Sequence, residues 1–155
     1  MIRDQIKTAL IVAMKARDEK RVSTLRMAQS NIKNKDIELR TGVAPEAGSA
    51  ADDAMVIDVL AKMVKQRRES IEMFEKGNRQ TLADGEKAEI DVLEQFLPKM
   101  MSDVDATAAI KALVSELDVT SAKDMGKVMG ALKERFAGQI DMGKAGGMVK
   151  AAIGG

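Results

Sequence analysis

The residues best suited to bind a ligand lie together in one predicted helix, where two lysines accompany two glycines. The apolar spacing of this helix turns Gly126 and Gly130 away from the inward stripe, onto the side that carries Lys123 and Lys127. A glycine inside a helix costs about 1 kcal/mol relative to alanine. Two glycines one turn apart form a shallow groove, which suits a phosphodiester backbone or a partner helix. The alternative is that another part of the same chain packs into this groove.

A second group of cations lies on an earlier predicted helix. Arg26, Lys33 and Arg40 are spaced by seven residues, which places them along one flank of that helix beside its apolar stripe. Such a flank is usually a solvated surface, and contacts to phosphate groups are the alternative.

A single arginine interrupts the apolar stripe of the third predicted helix. Arg67 falls among inward-facing apolar positions, and Glu86 and Glu89 fall inside the stripe of the following helix. If these two helices form an antiparallel hairpin, Arg67 comes level with one of the two glutamates. Because arginine rarely enters a core unpaired, we expect a structural ion pair. An arginine poised for a ligand carboxylate or phosphate is the alternative.

The composition excludes most conventional catalytic chemistry. The chain of 155 residues has no His, Cys, Trp or Tyr and only three Phe. It therefore lacks a thiol nucleophile, a Ser-His-Asp relay and the ligands of an ordinary zinc site, and it has no aromatic platform for stacking bases. No phosphate-binding G-x-x-x-x-G-K-[ST] loop occurs. We therefore expect no catalytic residues, no metal and no cofactor.

The same composition predicts an all-α protein. Only two prolines occur, and Ala, Met, Leu, Lys and Glu are abundant. Apolar residues recur at three- and four-residue spacing in segments that are separated by turn residues. The predicted helices cover residues 2–17, 21–40, 52–76, 81–96, 103–117, 122–136 and 142–152.

The chain is expected to divide near Pro98, because proline ends the helix before it. This gives an N-terminal helical bundle of about four helices, 1–98, and a C-terminal three-helix domain, 99–155.

Residues 1–40 carry 10 basic and 5 acidic groups and residues 41–98 carry 7 and 12, so the two predicted hairpins have opposite net charge. Opposite charges are expected to help them dock.

Several collinear segments of the sequence resemble the GatB/YqeY family. The similarity extends over essentially the whole chain, and its clearest motifs are MKARD at 14–18, KMVKQRRESIE at 62–72, EKAEI at 86–90 and KDMGKVMGALK at 123–133.

This resemblance implies a helical bundle followed by a small three-helix domain, as at the tail of the B subunit of the aspartyl/glutamyl-tRNA amidotransferase. That tail contacts tRNA, whereas the amide chemistry resides in other domains. The family label implies glutamine-dependent carbon–nitrogen ligase activity, but the residues predict an accessory role.

The partners that the resemblance implies are tRNA or a tRNA–protein complex, in which the protein component is an amidotransferase or an aminoacyl-tRNA synthetase. A protein–protein module without RNA contact is the alternative. An RNA contact is expected at Lys123, Lys127 and Lys133 with the two glycines.

The sequence predicts no association with a membrane. The longest apolar run covers residues 9–14, far short of the roughly 20 residues that cross a bilayer. Arg3 and Asp4 precede this run and no small-residue cleavage site follows it, so no secretory signal is expected. The sequence therefore predicts a cytoplasmic protein.

Overall fold

The computed structural model describes residues 1–154, and the regular structure in that part of the chain is entirely helical. The all-α prediction is therefore confirmed. Most helix ends lie within two residues of the predicted ends, which is the usual variation at helix termini. The seven α-helices are α1 Ile2–Lys15, α2 Glu19–Leu39, α3 Ala50–Lys76, α4 Gln80–Glu94, α5 Asp103–Glu116, α6 Met125–Arg135 and α7 Met142–Gly154.

Side-chain caps determine where several helices begin. The Ser102 hydroxyl accepts a hydrogen bond from the backbone N–H of Asp105 at 3.1 Å and starts α5. The Ser49 hydroxyl accepts from the N–H of Asp52, also at 3.1 Å, so α3 begins at Ala50. The predicted start at Asp52 is therefore wrong by two residues, because the serine cap comes earlier than the acidic pair.

Three helices end through a residue in the left-handed region that is not glycine. Arg17, Asn78 and Asp118 have φ angles of 56°, 55° and 52° and follow α1, α3 and α5. Gly77 has a φ of −88°, so it does not use the conformational freedom of glycine. Gly77 is the C-cap of α3, as its position after Lys76 predicts, and Asn78 takes the left-handed position that follows, which asparagine tolerates better than most residues.

Residues Met1–Leu97 form one compact unit, which contains α1 to α4. Its core consists of apolar side chains from all four helices, and Ile6, Leu25, Leu60 and Leu93 are fully buried. Burial of such side chains is the main driving force for the unit, at about 25 cal/mol per Å² of apolar area.

One predicted core residue of α4 faces solvent. The apolar spacing of the fourth helix predicts that Leu82 lies in the inward stripe with Ile90 and Leu93, but Leu82 is 48% exposed and Ala83 is buried instead. Leu82 lies in the first turn of α4, beside the hairpin turn, where α3 has already ended at Lys76. Met73, near the end of α3, is also exposed. The tip of this hairpin therefore presents two large apolar side chains to solvent, although Ala83 beside them is fully buried.

The residues from Pro98 onward form a second compact unit, which contains α5 to α7. Val128 and Leu132 from α6 and Ala145 and Val149 from α7 are fully buried in its core. The predicted sixth helix is divided: Ala122–Asp124 form a 3-10 turn before α6 begins. The Ser121 hydroxyl accepts from the N–H of Lys123 at 3.3 Å, and this local bond accompanies the tighter turn.

An ionic cluster with one buried member, Asp52, joins α1, α2 and α3. The Arg3 guanidinium donates two hydrogen bonds to Asp36, at 2.7 and 3.0 Å, and further bonds to Asp52 at 2.7 to 3.0 Å. Asp52 is only 1% exposed and also accepts from the N–H of Gly48 at 3.0 Å. Because each carboxylate oxygen of Asp52 has a donor, its charge is compensated despite burial.

We expect this cluster to make the N-terminal unit sensitive to acid. The hydrogen bond from Arg3 lowers the pKa of Asp52 below its ordinary value of 3.8. Because the pKa is lower in the folded state, this contribution to stability is complete above about pH 4 and is lost as the pH falls through the folded-state pKa. The substitution Asp52→Asn should lower the free energy of unfolding by roughly 1.5–3 kcal/mol at pH 7, because it weakens charge-assisted hydrogen bonds to a buried group while Arg3 keeps Asp36 as a partner.

Chemical denaturation of both proteins at pH 7 and at pH 3 checks this prediction. The difference between wild type and Asp52→Asn should narrow at pH 3. Asp58→Asn is the matched control: it breaks an exposed pair with Lys62 on the same helix and should cost less than about 1 kcal/mol. An equal difference at both pH values contradicts the assigned role of Asp52.

Candidate nucleic-acid interface

The side of α6 that faces solvent is determined by its two buried residues. Val128 and Leu132 are fully buried in the core of the C-terminal unit. In an α-helix, successive residues are rotated by about 100°, so Gly126 and Gly130 lie roughly opposite this buried pair. Both glycines are exposed.

Nothing in the described part of the chain covers the two glycines. A Cβ atom built on either Gly126 or Gly130 meets no heavy atom within 4 Å, apart from immediate neighbours and the backbone of the same helix. The groove is therefore open to solvent. The expectation that both glycines are in the helix interior is wrong for Gly126, because the 3-10 turn delays the start of α6 to Met125. Only Gly130 carries the full cost of an interior glycine.

The lysines lie on both edges of this open groove. At about 100° per residue, Lys127 is displaced to one side of Gly130, and Lys133 lies almost in line with Gly126 two turns along. Lys123 precedes them in the 3-10 turn. All three lysines are exposed, and none forms an ion pair with a carboxylate of the described residues. We call this surface, made by Lys123, Gly126, Lys127, Gly130 and Lys133, the glycine face.

The position of Lys127 is unfavourable for the helix itself. It lies in the first turn of α6, where the helix dipole is positive and favours acidic side chains. The first turn of α6 has no acidic residue, and Asp124, before it, makes no side-chain cap bond. Helix stability therefore does not account for the cations at this end. Their positive charge instead favours an anion at this end of the helix.

The cations of α2 form a separate surface on the N-terminal unit. Arg26 and Lys33 are exposed on the helix, and neither pairs with a carboxylate among residues 1–154. Arg40 is also exposed, but it lies one residue beyond the end of α2 as its C-cap. Only Arg26 and Lys33 of the three predicted cations therefore lie on the helix itself, because α2 ends at Leu39.

Arg67 is fully engaged inside the N-terminal unit. It is 7% exposed, and its Nε donates to Glu89 at 2.9 Å. Its Nη1 donates to the carbonyl of Met63 at 3.1 Å, and its Nη2 donates to the sulfur of Met27 at 3.0 Å. These contacts hold α2, α3 and α4 together, and all three hydrogen-bond partners of the guanidinium belong to the N-terminal unit.

Glu86 does not take part in this ion pair, contrary to the grouping predicted from the sequence. The reason is the register of the hairpin. The turn is centred on Asn78, and Arg67 and Glu89 are each eleven residues from it along the chain. Glu86 lies three residues closer to the turn, almost one helical turn away from the level of Arg67.

Sequence reasoning missed the cluster formed by Arg3, Asp36 and Asp52. Asp52 stands at the predicted start of a helix, where an acidic residue is common and carries no information about burial. Arg3 directly follows the first buried isoleucine, and this position was the available signal that its side chain lies near the core. The contact between Arg67 and the Met27 sulfur has no comparable signal, because methionine is a common apolar residue on helices.

No metal site or membrane-spanning helix is found in the described part of the chain. Residues 1–154 contain no group of three or more acidic side chains that could hold a metal ion. None of the helices described for these residues has the length and apolar character needed to span a bilayer.

Comparison with known proteins identifies the family. A family model described as Yqey-like protein matches residues 3–153, almost the whole chain. The chain belongs to the YqeY-like family. This confirms the resemblance found in the sequence motifs, and the match includes both the ionic cluster of Arg3 and the glycine face.

Relatives in the same family are fungal proteins. The chain is 33% identical to altered inheritance of mitochondria protein 41 of Lachancea thermotolerans over 154 residues, which is 96% of this chain and 76% of the relative. It is 30% identical to the protein of the same name from Saccharomyces cerevisiae over 138 residues, covering 88% of this chain and 68% of the relative. The Kluyveromyces lactis relative is 36% identical over 91 residues, or 59% of this chain and 45% of the relative.

These relatives are named as mitochondrial proteins, so the prediction of a cytoplasmic protein is contradicted. That prediction depended on the absence of a secretory signal and of a long apolar run. Neither feature distinguishes the cytosol from a mitochondrion, because mitochondrial import uses a different type of segment.

The openness of the glycine face predicts an unusual gain in stability. Gly130→Ala should raise the free energy of unfolding by about 1 kcal/mol, because alanine is the better helix former and its methyl group meets no neighbour. The midpoint of thermal unfolding should rise by about 2–4 °C. Gly138→Ala is the control: Gly138 has a φ of 71°, so alanine there should destabilise the protein. A loss of stability in Gly130→Ala would show that the face is covered in solution.

Proposed function

We propose that this protein is an accessory module that binds tRNA through the phosphate backbone, with the glycine face as its contact surface. The single observation that supports the proposal is the open pair Gly126 and Gly130, edged by three exposed lysines that pair with no carboxylate among residues 1–154. No requirement of the fold explains this combination. Alanine would fit at Gly130, and the two lysines nearest the start of α6 oppose its dipole.

The chemistry of the face matches a phosphodiester backbone. Lysine ammonium groups act as point charges toward phosphate, and the missing side chains at the glycines let a bulky backbone approach the helix. The chain as a whole has a net charge of only +1, so attraction to RNA would be local. Because the sequence contains no Tyr or Trp, recognition would depend on RNA shape and backbone and not on stacked bases.

The role we propose is auxiliary to tRNA-dependent amidotransfer. The GatB/YqeY resemblance suggests this connection, and the sequence has no His or Cys with which to perform glutamine hydrolysis by a conventional relay. The protein would therefore act with an amidotransferase or an aminoacyl-tRNA synthetase. Arg26, Lys33 and Arg40 are a second set of candidate phosphate contacts, on the N-terminal unit.

A second candidate function is docking of a partner protein through the same face. The observation that favours it is the spacing of Gly126 and Gly130 by four residues, which exposes α6 backbone along one row of the helix surface. Ridges of a partner helix pack into such rows. Because this mode requires no phosphate, its affinity should change little with salt or with nuclease treatment.

Binding of fluorescently labelled tRNA, measured by anisotropy over a range of salt concentrations, tests the first proposal. Total tRNA and mitochondrial tRNA are both suitable probes, since the curated relatives are named as mitochondrial. The double variant Lys123→Glu/Lys127→Glu should bind at least about tenfold more weakly. The slope of log affinity against log salt should become shallower by about two, because each lost phosphate contact removes close to one unit.

Lys99→Glu/Lys111→Glu is the matched control, because it makes the same change in net charge at two exposed lysines outside α6. If both double variants lose the same affinity, the interaction is not located on the glycine face. Gly126→Leu/Gly130→Leu keeps every charge and should still weaken binding by filling the groove. Retention of a protein partner after nuclease treatment, together with salt-independent affinity, would favour the second candidate.

A further inference from the structure

The Arg67 guanidinium has two strong hydrogen-bond acceptors and one weak acceptor. Glu89 contributes a carboxylate oxygen at 2.9 Å, and Met63 contributes a backbone carbonyl at 3.1 Å. The third partner is the thioether sulfur of Met27, 3.0 Å from Nη2. Thioether sulfur is a weak acceptor, so a buried cationic N–H is directed at an atom that compensates it poorly.

Met27 differs from Arg67 in that it can be reached from solvent. Its exposed fraction is 44%, whereas that of Arg67 is 7%. Part of the Met27 side chain therefore faces solvent, where a small oxidant can approach it, while the guanidinium lies on the inner side. The three rotatable bonds of methionine allow the side chain to turn after oxidation, so that an oxygen added from the solvent side can face the guanidinium.

We propose that Met27 is a site of reversible oxidation by hydroperoxides, and that the resulting sulfoxide oxygen accepts a hydrogen bond from Arg67. A lone pair of the sulfur attacks one oxygen of hydrogen peroxide as the O–O bond breaks and the S–O bond forms. The proton on the transferred oxygen passes to the departing oxygen, which leaves as water. The sulfur loses two electrons and the peroxide gains them, so the reaction needs no other reactant.

Oxidation at this position improves a contact. Methionine sulfoxide in a core normally disrupts packing, because an apolar side chain becomes polar. At Met27 the new oxygen meets a cationic donor, and hydrogen bonds to charged groups are worth more than bonds between neutral groups. Because Met27 lies on α2 and Arg67 joins α3 to α4, the oxidised form should hold α2 more firmly against the hairpin.

Three other exposed methionines provide an internal comparison. Met14, Met73 and Met100 are exposed, but none accepts a hydrogen bond from an arginine of the described residues. Met63 is buried and protected. Oxidation at the exposed positions should therefore leave stability unchanged, whereas oxidation at Met27 should increase it.

The experiment combines peptide mass spectrometry with thermal unfolding after mild treatment with hydrogen peroxide. In the wild type we expect the mass spectra to show sulfoxide at Met27. Peroxide treatment shifts the unfolding midpoint of each protein, and we expect the shift in the wild type to be about 2–4 °C more positive than the shift in Met27→Leu. Met73→Leu should behave like the wild type. Reduction by methionine sulfoxide reductases with a dithiol as electron donor, which removes the oxygen as water and leaves the dithiol as a disulfide, should return the midpoint to its starting value.

Two outcomes would overturn the proposal. One is that Met27 stays reduced under conditions in which Met73 is fully oxidised. The other is that the peroxide-induced change is equal in the wild type and in Met27→Leu, or less favourable in the wild type.

Met27→Gln provides a test without peroxide, because its amide oxygen can accept from Arg67. Its midpoint should be at least that of the wild type, and a lower midpoint would contradict the proposed contact.

Discussion

The small apolar core of the C-terminal unit is the constraint on which the candidate site depends. A helix of eleven residues can bury only one side, and α6 buries Val128 and Leu132. The opposite side must then face solvent unless another element covers it, and that side carries the two glycines and the flanking lysines. The same packing that stabilises this unit therefore exposes the glycine face. A rotation of α6 about its axis would remove Val128 and Leu132 from the core and would also cover the glycine face.

Arginine has a comparable organising role in the N-terminal unit. Arg3 joins three helices through Asp36 and Asp52, and Arg67 joins three helices through Glu89, the carbonyl of Met63 and the sulfur of Met27. The planar guanidinium is suited to this role because it has five donors in fixed directions. The pair between Arg3 and Asp52 also joins the basic segment 1–40 to the acidic segment 41–98. At this one position, the opposite net charges of the two segments meet as an ion pair.

The features that could be predicted from sequence are those that depend on helical periodicity. The all-α class and the ends of most helices follow from apolar spacing, caps and prolines, and the stripe of α3 places Arg67 toward α4. The position of Leu82 could not be predicted, because periodicity gives the side of a helix on which a residue lies and not whether a neighbour extends far enough to cover it. Burial of Asp52 depends on Arg3, which is distant in sequence. The openness of the glycine face depends equally on what the rest of the chain leaves uncovered.

The symmetric turn at Asn78 has a consequence for the lengths of loops in this family. One residue inserted between α3 and α4 would rotate Glu89 by about 100° around its helix and shift it by about 1.5 Å, which would separate it from Arg67. The connection between α2 and α3 sets no such register until Gly48 and Ser49, which bond to Asp52 and place Gly48 against Met1. Insertions and deletions among relatives should therefore accumulate before Gly48 and be selected against in the turn at Asn78.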